Sequence, residues 1–492
     1  MSGRRTVETA SGRLTGAADG ETLRFLGVPY ATADRFEPPA PAPAWTGELD
    51  ALAPGPAAPQ PDRSVSRFTH GDVPATSEHR CLNLNVYSPS LAGGRPVMVW
   101  VHGGGFAVGH AAASIYRGSR LAAQADVVVV TLNYRLGSLG WLGHPALAAG
   151  DGAPSANWGL LDQIAALRWV HENIAAFGGD PRRVTLAGQS AGALSAIELL
   201  AAPGATGLFS RAIAQSPPLA DVIQPPELAR RWAEALSELA GAPSFDARLL
   251  RSLPAERVVA LHEELLERPQ FRGTRGGARP TLDPGSLPVS PLETPGSRSE
   301  VDVLIGHTAD EGTFFFNSPW RPAPTPEQIP AVVAHLVPGE DPVEVLEHYR
   351  ARMPASSGTD DVALLVAIAT DAMVATPVAE WSQARAATGA RVYRYRVDHP
   401  GAGSKLGATH TVEVPLIFGT WRDGGPGERL GGHGGATAEV AQALVAAWRS
   451  FLHGGSPGWH ALGGAGSASE VAVFGGAQPF TLERRAGSLT QA

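Results

Sequence analysis

Cysteine is almost absent from this 492-residue chain. Cys81 stands alone, so no intrachain disulfide can form and no cysteine-based zinc site can be built. Lysine is equally scarce, with Lys405 the only one. A Walker-type phosphate loop needs Lys followed by Ser or Thr, and Leu406 follows here. Ser-x-x-Lys hydrolases need Ser three residues ahead of Lys, where this chain has Ala402. Positive charge is not in excess either. The net charge is −8 and the isoelectric point about 6.0, which argues against nucleic acid or an anionic membrane as partner. No uninterrupted apolar run approaches the ~18 residues of a membrane helix, and residues 127–132 are typical of the longer ones. Arg4 and Arg5 are not followed by an apolar stretch, so no secretory leader is expected. The expectation is a soluble cytoplasmic protein.

What is present suits a large enzyme. Apolar residues make up 43% of the chain, enough for an extensive core, which excludes disorder. Glycine (58) and proline (42) together form about a fifth of the chain, without a collagen period. Residues 82–87 alternate as a half-buried strand would. The Val-rich runs 96–102 and 127–133 suit strands covered on both faces. Helical spacing over 157–177 ends at Gly178 and Gly179, a strand is predicted over 183–187, and a helix over 191–200. This alternation predicts an α/β fold, a mostly parallel central sheet with helices on both faces.

Beyond residue 224, helices are predicted over 226–240, 245–252 and 254–266, and 268–295 is rich in Pro, Gly and Arg. A strand over 301–306 precedes helical stretches at 326–352 and 360–388 and a further strand at 391–398. A helix over 437–453 and a strand near 471–474 complete the pattern. The expectation is a single domain over 1–492, with helical insertions at about 225–295 and 326–388. The Arg268, Arg272, Arg275, Arg279 stretch reads as a solvated connector, since an RNA-binding segment would carry interleaved aromatics and net positive charge.

Two motifs carry the chemistry. Gly188-Gln189-Ser190-Ala191-Gly192 lies between a predicted strand and a predicted helix, the setting a G-x-S-x-G nucleophile elbow requires. Only small residues fit around so tight a turn, which lifts the serine hydroxyl above the sheet beside a helix N-terminus. Upstream, His102-Gly103-Gly104-Gly105-Phe106 follows a strand, where glycines let backbone N–H groups converge on a developing oxyanion. A dinucleotide loop would need glycine at Val108. The order for such a site is Ser, acid, His. Asp310 and Glu311 compete for the acid, and His399 and His410 for the base, and pattern leaves both choices open.

These motifs resemble those of type-B carboxylesterases, the α/β-hydrolase family that includes the cholinesterases. The likeness is densest from Asn157-Trp158-Gly159-Leu160-Leu161-Asp162-Gln163 to Phe177-Gly178-Gly179-Asp180-Pro181 and the elbow. It extends to Gly27-Val28-Pro29-Tyr30-Ala31, Asn133-Tyr134-Arg135-Leu136-Gly137 and, late in the chain, Ala447-Trp448 with Phe451. The resemblance implies a catalytic triad of Ser190, Glu311 (in Asp310-Glu311-Gly312) and His410 (in Gly407-x-x-His410-x-x-Glu413-x-Pro415). It also implies oxyanion donors at Gly104, Gly105 and Ala191, and supporting positions at Gln189 and Ser216. No metal or organic cofactor is implied. The substrate would be a small-molecule ester, or an aryl carbamate, cleaved through an acyl-enzyme. A non-catalytic binding relative would lack the serine, which is present here.

Departures from the family pattern are specific. Gln189 stands where Glu is common, removing a negative charge near His410. His79-Arg80-Cys81-Leu82 replaces Glu-Asp-Cys-Leu, so an ion pair to Arg35 requires Glu78 as substitute. Cys81 reads as a core thiol. Trp141, Trp320 and Trp421 are candidates for the pocket wall, though large aromatics more often pack.

Overall fold

A computed structural model describes residues 3–221, 223–268, 271, 279–353, 360–401, 406–463 and 469–485. Lys405, Arg272 and Arg275 lie outside them. Among the described residues, thirteen strands form one sheet. Its centre is parallel, in the spatial order Val128–Leu132, Arg95–Val101, Gly179–Gln189, Arg211–Gln215, Asp302–Thr308, Val392–Val397 and Ser469–Gly475. Alternate residues of one strand serve the two faces: Val97, Val99 and Val101 join one apolar core, Met98 and Trp100 the other. A strand covered on both sides must be apolar throughout, which is why these segments read as continuous Val, Leu and Ile runs.

The leading side of the sheet is antiparallel. Arg4–Thr9, Gly12–Asp19, Thr22–Pro29 and Asn83–Ser88 pair in succession and join the centre at Val128–Leu132. Sequence reading assigned no strand before residue 82. Arg4–Thr9 buries only Val7, so it carries no alternation to detect. Gln478–Arg485 closes the far side as an antiparallel edge.

Helices cover both faces. Trp158–Asn173 and Ala191–Ala201 feed one core, and Gly435–Leu452 the other. Helices Pro226–Leu239, Ala247–Ser252 and Ala255–Leu266 follow the strand Arg211–Gln215. The helix expected over 326–352 is two, Ile329–Leu336 and Pro342–Arg352, the second opened by Asp341, whose carboxylate accepts from Val343 N–H at 2.8 Å. Asp361–Ala387 is continuous, with a π turn at Asp371–Ala375. Contrary to the count of apolar runs, this helix is long and apolar enough to cross a membrane by length and composition, and half of that window is buried in the protein. Near its end the buried Arg385 donates to the carbonyls of Pro295, Ser297, Arg298 and Val301 at 2.7–3.0 Å, fixing the chain entering the strand Asp302–Thr308.

Register decides where chemistry can gather. Val101 pairs with Gly188, Gln189 with Gln215, Gln215 with Gly306, and Thr308 with Val397. The segments after these residues therefore leave the sheet at one carboxyl edge, where open α/β sheets bind ligands.

Candidate active site

The turn after Gly179–Gln189 carries Ser190 at φ 57° and ψ −124°, a left-handed backbone that a side-chain-bearing residue adopts only under strain. Its neighbours must be small. A Cβ at Gly188 would lie 2.3 Å from Gly192 O, and one at Gly192 would lie 2.0 Å from Val101 O. Ser190 N–H is held by Gln215 O at 2.9 Å, and Ala191 opens the helix with its N–H among those that lack an intrahelical acceptor.

The glycine loop arrives beside this turn. A Cβ at Gly103 would meet Gln189 O at 2.8 Å and Ser190 Cβ at 3.1 Å, so the two segments touch. Gly104 and Gly105 have φ of 113° and 63°. Among the described residues their N–H groups have no hydrogen-bond partner. Phe106 O accepts from Gly137 N–H at 2.7 Å and its ring packs on Trp141, which is fully buried and belongs to the support beneath the loop.

The two open choices are separated by contact. His410 Nδ1 lies 2.5 Å from Glu311 Oε2, both side chains being buried. Asp310 instead accepts from Ala408 N–H at 2.8 Å through its carboxylate, and its own N–H donates to Ala408 O at 2.9 Å. It clamps the loop that presents the imidazole. His399 faces away, its Nε2 near Gly431 O at 3.3 Å and Thr437 Oγ1 at 3.2 Å.

Electrostatics favour an ionised Glu311. Burial works to raise its pKa, but the charge and hydrogen bond of His410, the Ser216 hydroxyl and Thr308 N–H (2.8 Å to Oε1) together bring it below the usual value. The Ser216 hydroxyl stands beside this carboxylate without full hydrogen-bond geometry, on a backbone at φ 49°. An ionised Glu311 accepts from Nδ1–H, leaving the Nε2 lone pair of His410 facing outward. That atom lies 2.9 Å from Gln189 Nε2.

Beside the imidazole runs an aromatic row. Phe314 and Phe315 lie 5.2 and 5.1 Å from the His410 ring, Trp320 is 4.9 Å from Phe314, and Phe68 is 4.5 Å from Trp320. All four are partly exposed. Trp421 packs in the apolar core against which Phe68 also rests, with Arg422 over its ring.

Comparison with known proteins agrees with this architecture. The model of the carboxylesterase family matches residues 3–462. The chain belongs to the carboxylesterase family. Para-nitrobenzyl esterase of Bacillus subtilis is 35% identical over 467 residues, covering 93% of this chain and 91% of the relative. Phenmedipham hydrolase of Pseudarthrobacter oxydans is 34% identical over 467 residues, covering 92% and 91%. Human carboxylesterase 3 is 34% identical over 512 residues, covering 93% and 84%. A solved structure of PNB esterase superposes with a TM-score of 0.83 at 33% identity, covering 98% of this chain and 97% of that one. The fold is the α/β-hydrolase fold, and this carboxylesterase is a carboxylic ester hydrolase.

The departures from the family pattern have structural answers. Glu78 does substitute: its carboxylate pairs with Arg35 at 2.5–2.6 Å in a largely buried contact, while Arg35 also donates to the carbonyls of Leu250 and Leu253. Cys81 is fully buried, and burial pushes its thiol up to about 12, so it stays an inert core group. Two buried carboxyls near the site were given no role by the sequence, Glu413 standing only as a position of the His410 motif and Glu198 not at all. Glu413, three residues after His410, accepts from Gln215 at 3.1 Å, and burial with the charge of Glu311 pushes it up to about 7. Glu198, on the helix behind Ser190, has no partner among the described residues, and burial raises it well above the ordinary range.

Proposed function

We propose that Ser190, Glu311 and His410 form the catalytic triad of this esterase, with the N–H groups of Gly104, Gly105 and Ala191 as the oxyanion donors. The observation that carries the proposal is the buried Glu311–His410 pair, whose outward nitrogen meets the residue preceding Ser190. Glu311 holds the imidazole in the tautomer with its proton on Nδ1, so that Nε2 takes the Ser190 proton as Oγ attacks the substrate carbonyl. Negative charge then develops where the three N–H groups converge. His410 returns the proton to the leaving oxygen, and a water activated by the same nitrogen clears the acyl-enzyme. Gln189 gives the imidazolium no compensating charge, so that duty falls first on Glu311, the carboxylate in contact with the ring.

Small-molecule esters are the first substrate class. Aryl carbamates are the second, favoured by the partly exposed aromatic row beside His410 and by the likeness to a carbamate hydrolase. The leaving phenol would stack on that row, and the carbamoyl-enzyme would turn over slowly. The single buried cysteine, which can form no intrachain disulfide, supports a soluble cytoplasmic enzyme. Ser190→Ala tests the reading: turnover of a p-nitrophenyl ester falls by about 10⁶ and fluorophosphonate labelling disappears. Retention of labelling in that variant refutes the assignment.

A further inference from the structure

The aromatic row beside His410 ends on a cation that no step above uses. Phe314 packs on the imidazole, Trp320 on Phe314 and Phe68 on Trp320. Over the Phe68 ring, 5.3 Å from its centroid, lies the guanidinium of Arg429, within cation–π range. Its Nη2 also donates to the carbonyls of Phe68 and Arg67 at 3.1 and 3.3 Å, which ties the charge to this end of the row. Arg429 is exposed, and among the described residues no carboxylate lies within 4.0 Å of its nitrogens. The acids nearby in the chain are engaged elsewhere: Asp62 holds Arg67, and Glu428 lies 3.7 Å from His433. Phe316, on the same short helix as Phe314, carries Arg321 over its ring at 5.5 Å, again without a carboxylate partner among the described residues. The wall is apolar along its length and positive at its margins, in a chain whose net charge is −8.

His410 hands its proton to the leaving oxygen, so the part of the substrate lying along the rings packed on His410 is the leaving alcohol. We propose that the site selects esters of elongated alcohols or phenols that carry an anion, such as a carboxylate, at the end remote from the ester. Arg429 is the specificity-determining residue that receives this anion. The inference rests on the triad proposed above, which fixes the end of the row where the scissile bond lies. Four successive contacts of 4.5–5.3 Å separate the imidazole from the guanidinium. An anion set directly on a leaving phenol stops short of it. One on a longer arm reaches it after the apolar body has covered Phe314 and Trp320. Stacking on Phe68 uses the face of the guanidinium and leaves its N–H edge for the paired bonds a carboxylate accepts. The anchor is exposed and far from the reacting atoms, so its effect is modest and falls on KM rather than kcat.

The test uses phenyl acetates bearing a para alkoxy arm, short or long, that ends in a carboxylate or in the matching carboxamide. Apolar contacts are common to each pair, so the ratio within a pair reads the charge alone. With the long arm, the parent should favour the carboxylate about three- to tenfold in kcat/KM, through KM, and with the short arm it should show no such preference. Salt at about 0.5 M should remove most of the effect. Arg429→Gln should bring the long-arm ratio to unity or below by raising KM for the carboxylate ester, and Arg429→Lys, which keeps the charge, should retain part of the preference. Arg168→Gln, which removes the same charge from the exposed side of the helix Trp158–Asn173, should match the parent. A parent that does not prefer the long-arm carboxylate, or an Arg429→Gln protein of parental thermal stability that keeps the preference, overturns the proposal. Hydrolysis of the carboxamide esters and fluorophosphonate labelling separate the two levels: absence of both in the parent refutes the triad, while their presence without a charge preference refutes only the role of Arg429.

Discussion

The carboxyl edge of the sheet and the helix behind the nucleophile bury glutamates equally, and treat them in opposite ways. At the edge, Glu311 is 0% exposed and meets His410, Thr308 N–H and the Ser216 hydroxyl, which together hold its pKa down. On the helix Ala191–Ala201, Glu198 is also 0% exposed, but neither carboxyl oxygen has a partner among the described residues, and burial alone raises its pKa well above the ordinary range. Desolvation is common to both. Partners decide whether the buried group is a charge or a neutral acid.

That contrast predicts opposite responses to substitution. The largest effect belongs to Glu311→Gln. The amide would donate to Nδ1 and force the imidazole proton onto Nε2, the wrong atom for deprotonating Ser190, so kcat should fall by about 10⁴ in steady-state ester hydrolysis. A loss below tenfold would mean that the pair is structural. Glu198→Leu should instead stabilise the fold, by about 1–3 kcal/mol in urea titrations at pH 8. Because folding raises this pKa, the native chain holds a proton the unfolded chain has released. Stability therefore falls as pH climbs through the ordinary glutamate range toward the raised native value, and the gain from Glu198→Leu must grow over the same interval. A gain equal at pH 4 and pH 8 would contradict a neutral carboxyl.

Glu413 lies between these extremes, with one oxygen bonded to Gln215 and the other without a partner among the described residues. Its pKa is raised to about 7, so the parent chain should lose stability between about pH 4.5 and 7. Glu413→Gln should flatten that slope, gaining about 1 kcal/mol at pH 8 and little at pH 5, as thermal melts across the range would reveal.

The sequence was most legible where one physical constraint acts on several consecutive residues. Strands buried on both faces must be apolar throughout, so Arg95–Val101 and Val128–Leu132 announced themselves. The elbow and the glycine loop did likewise, since only small residues fit at Gly188, Gly192 and Gly104. Legibility failed where the outcome depends on the direction of one side chain. Asp310 and Glu311 are adjacent acids after the same strand. What separates them is that one carboxylate is consumed by Ala408 N–H while the other reaches the imidazole, and no spacing rule encodes this. The same holds for His399 against His410, a choice that rested on the family resemblance and not on spacing. Partners far apart in the chain were invisible as well: Tyr116 and His70 are 46 residues apart, and nothing in the apolar stretch 191–201 announces that Glu198 is buried with no partner among the described residues.

On the proposed triad and oxyanion donors, the parallel strand order draws the reacting groups from four separate strand ends, the glycine loop after Val101, the serine after Gln189, the acid after Thr308 and the imidazole beyond Val397. A nascent chain leaving the ribosome can therefore hydrolyse nothing until the segment carrying His410 has emerged and docked. Recovery of turnover after dilution from denaturant accordingly times the completion of long-range strand pairing, the slow step of such topologies, and no proteolytic fragment ending before that segment should regain it.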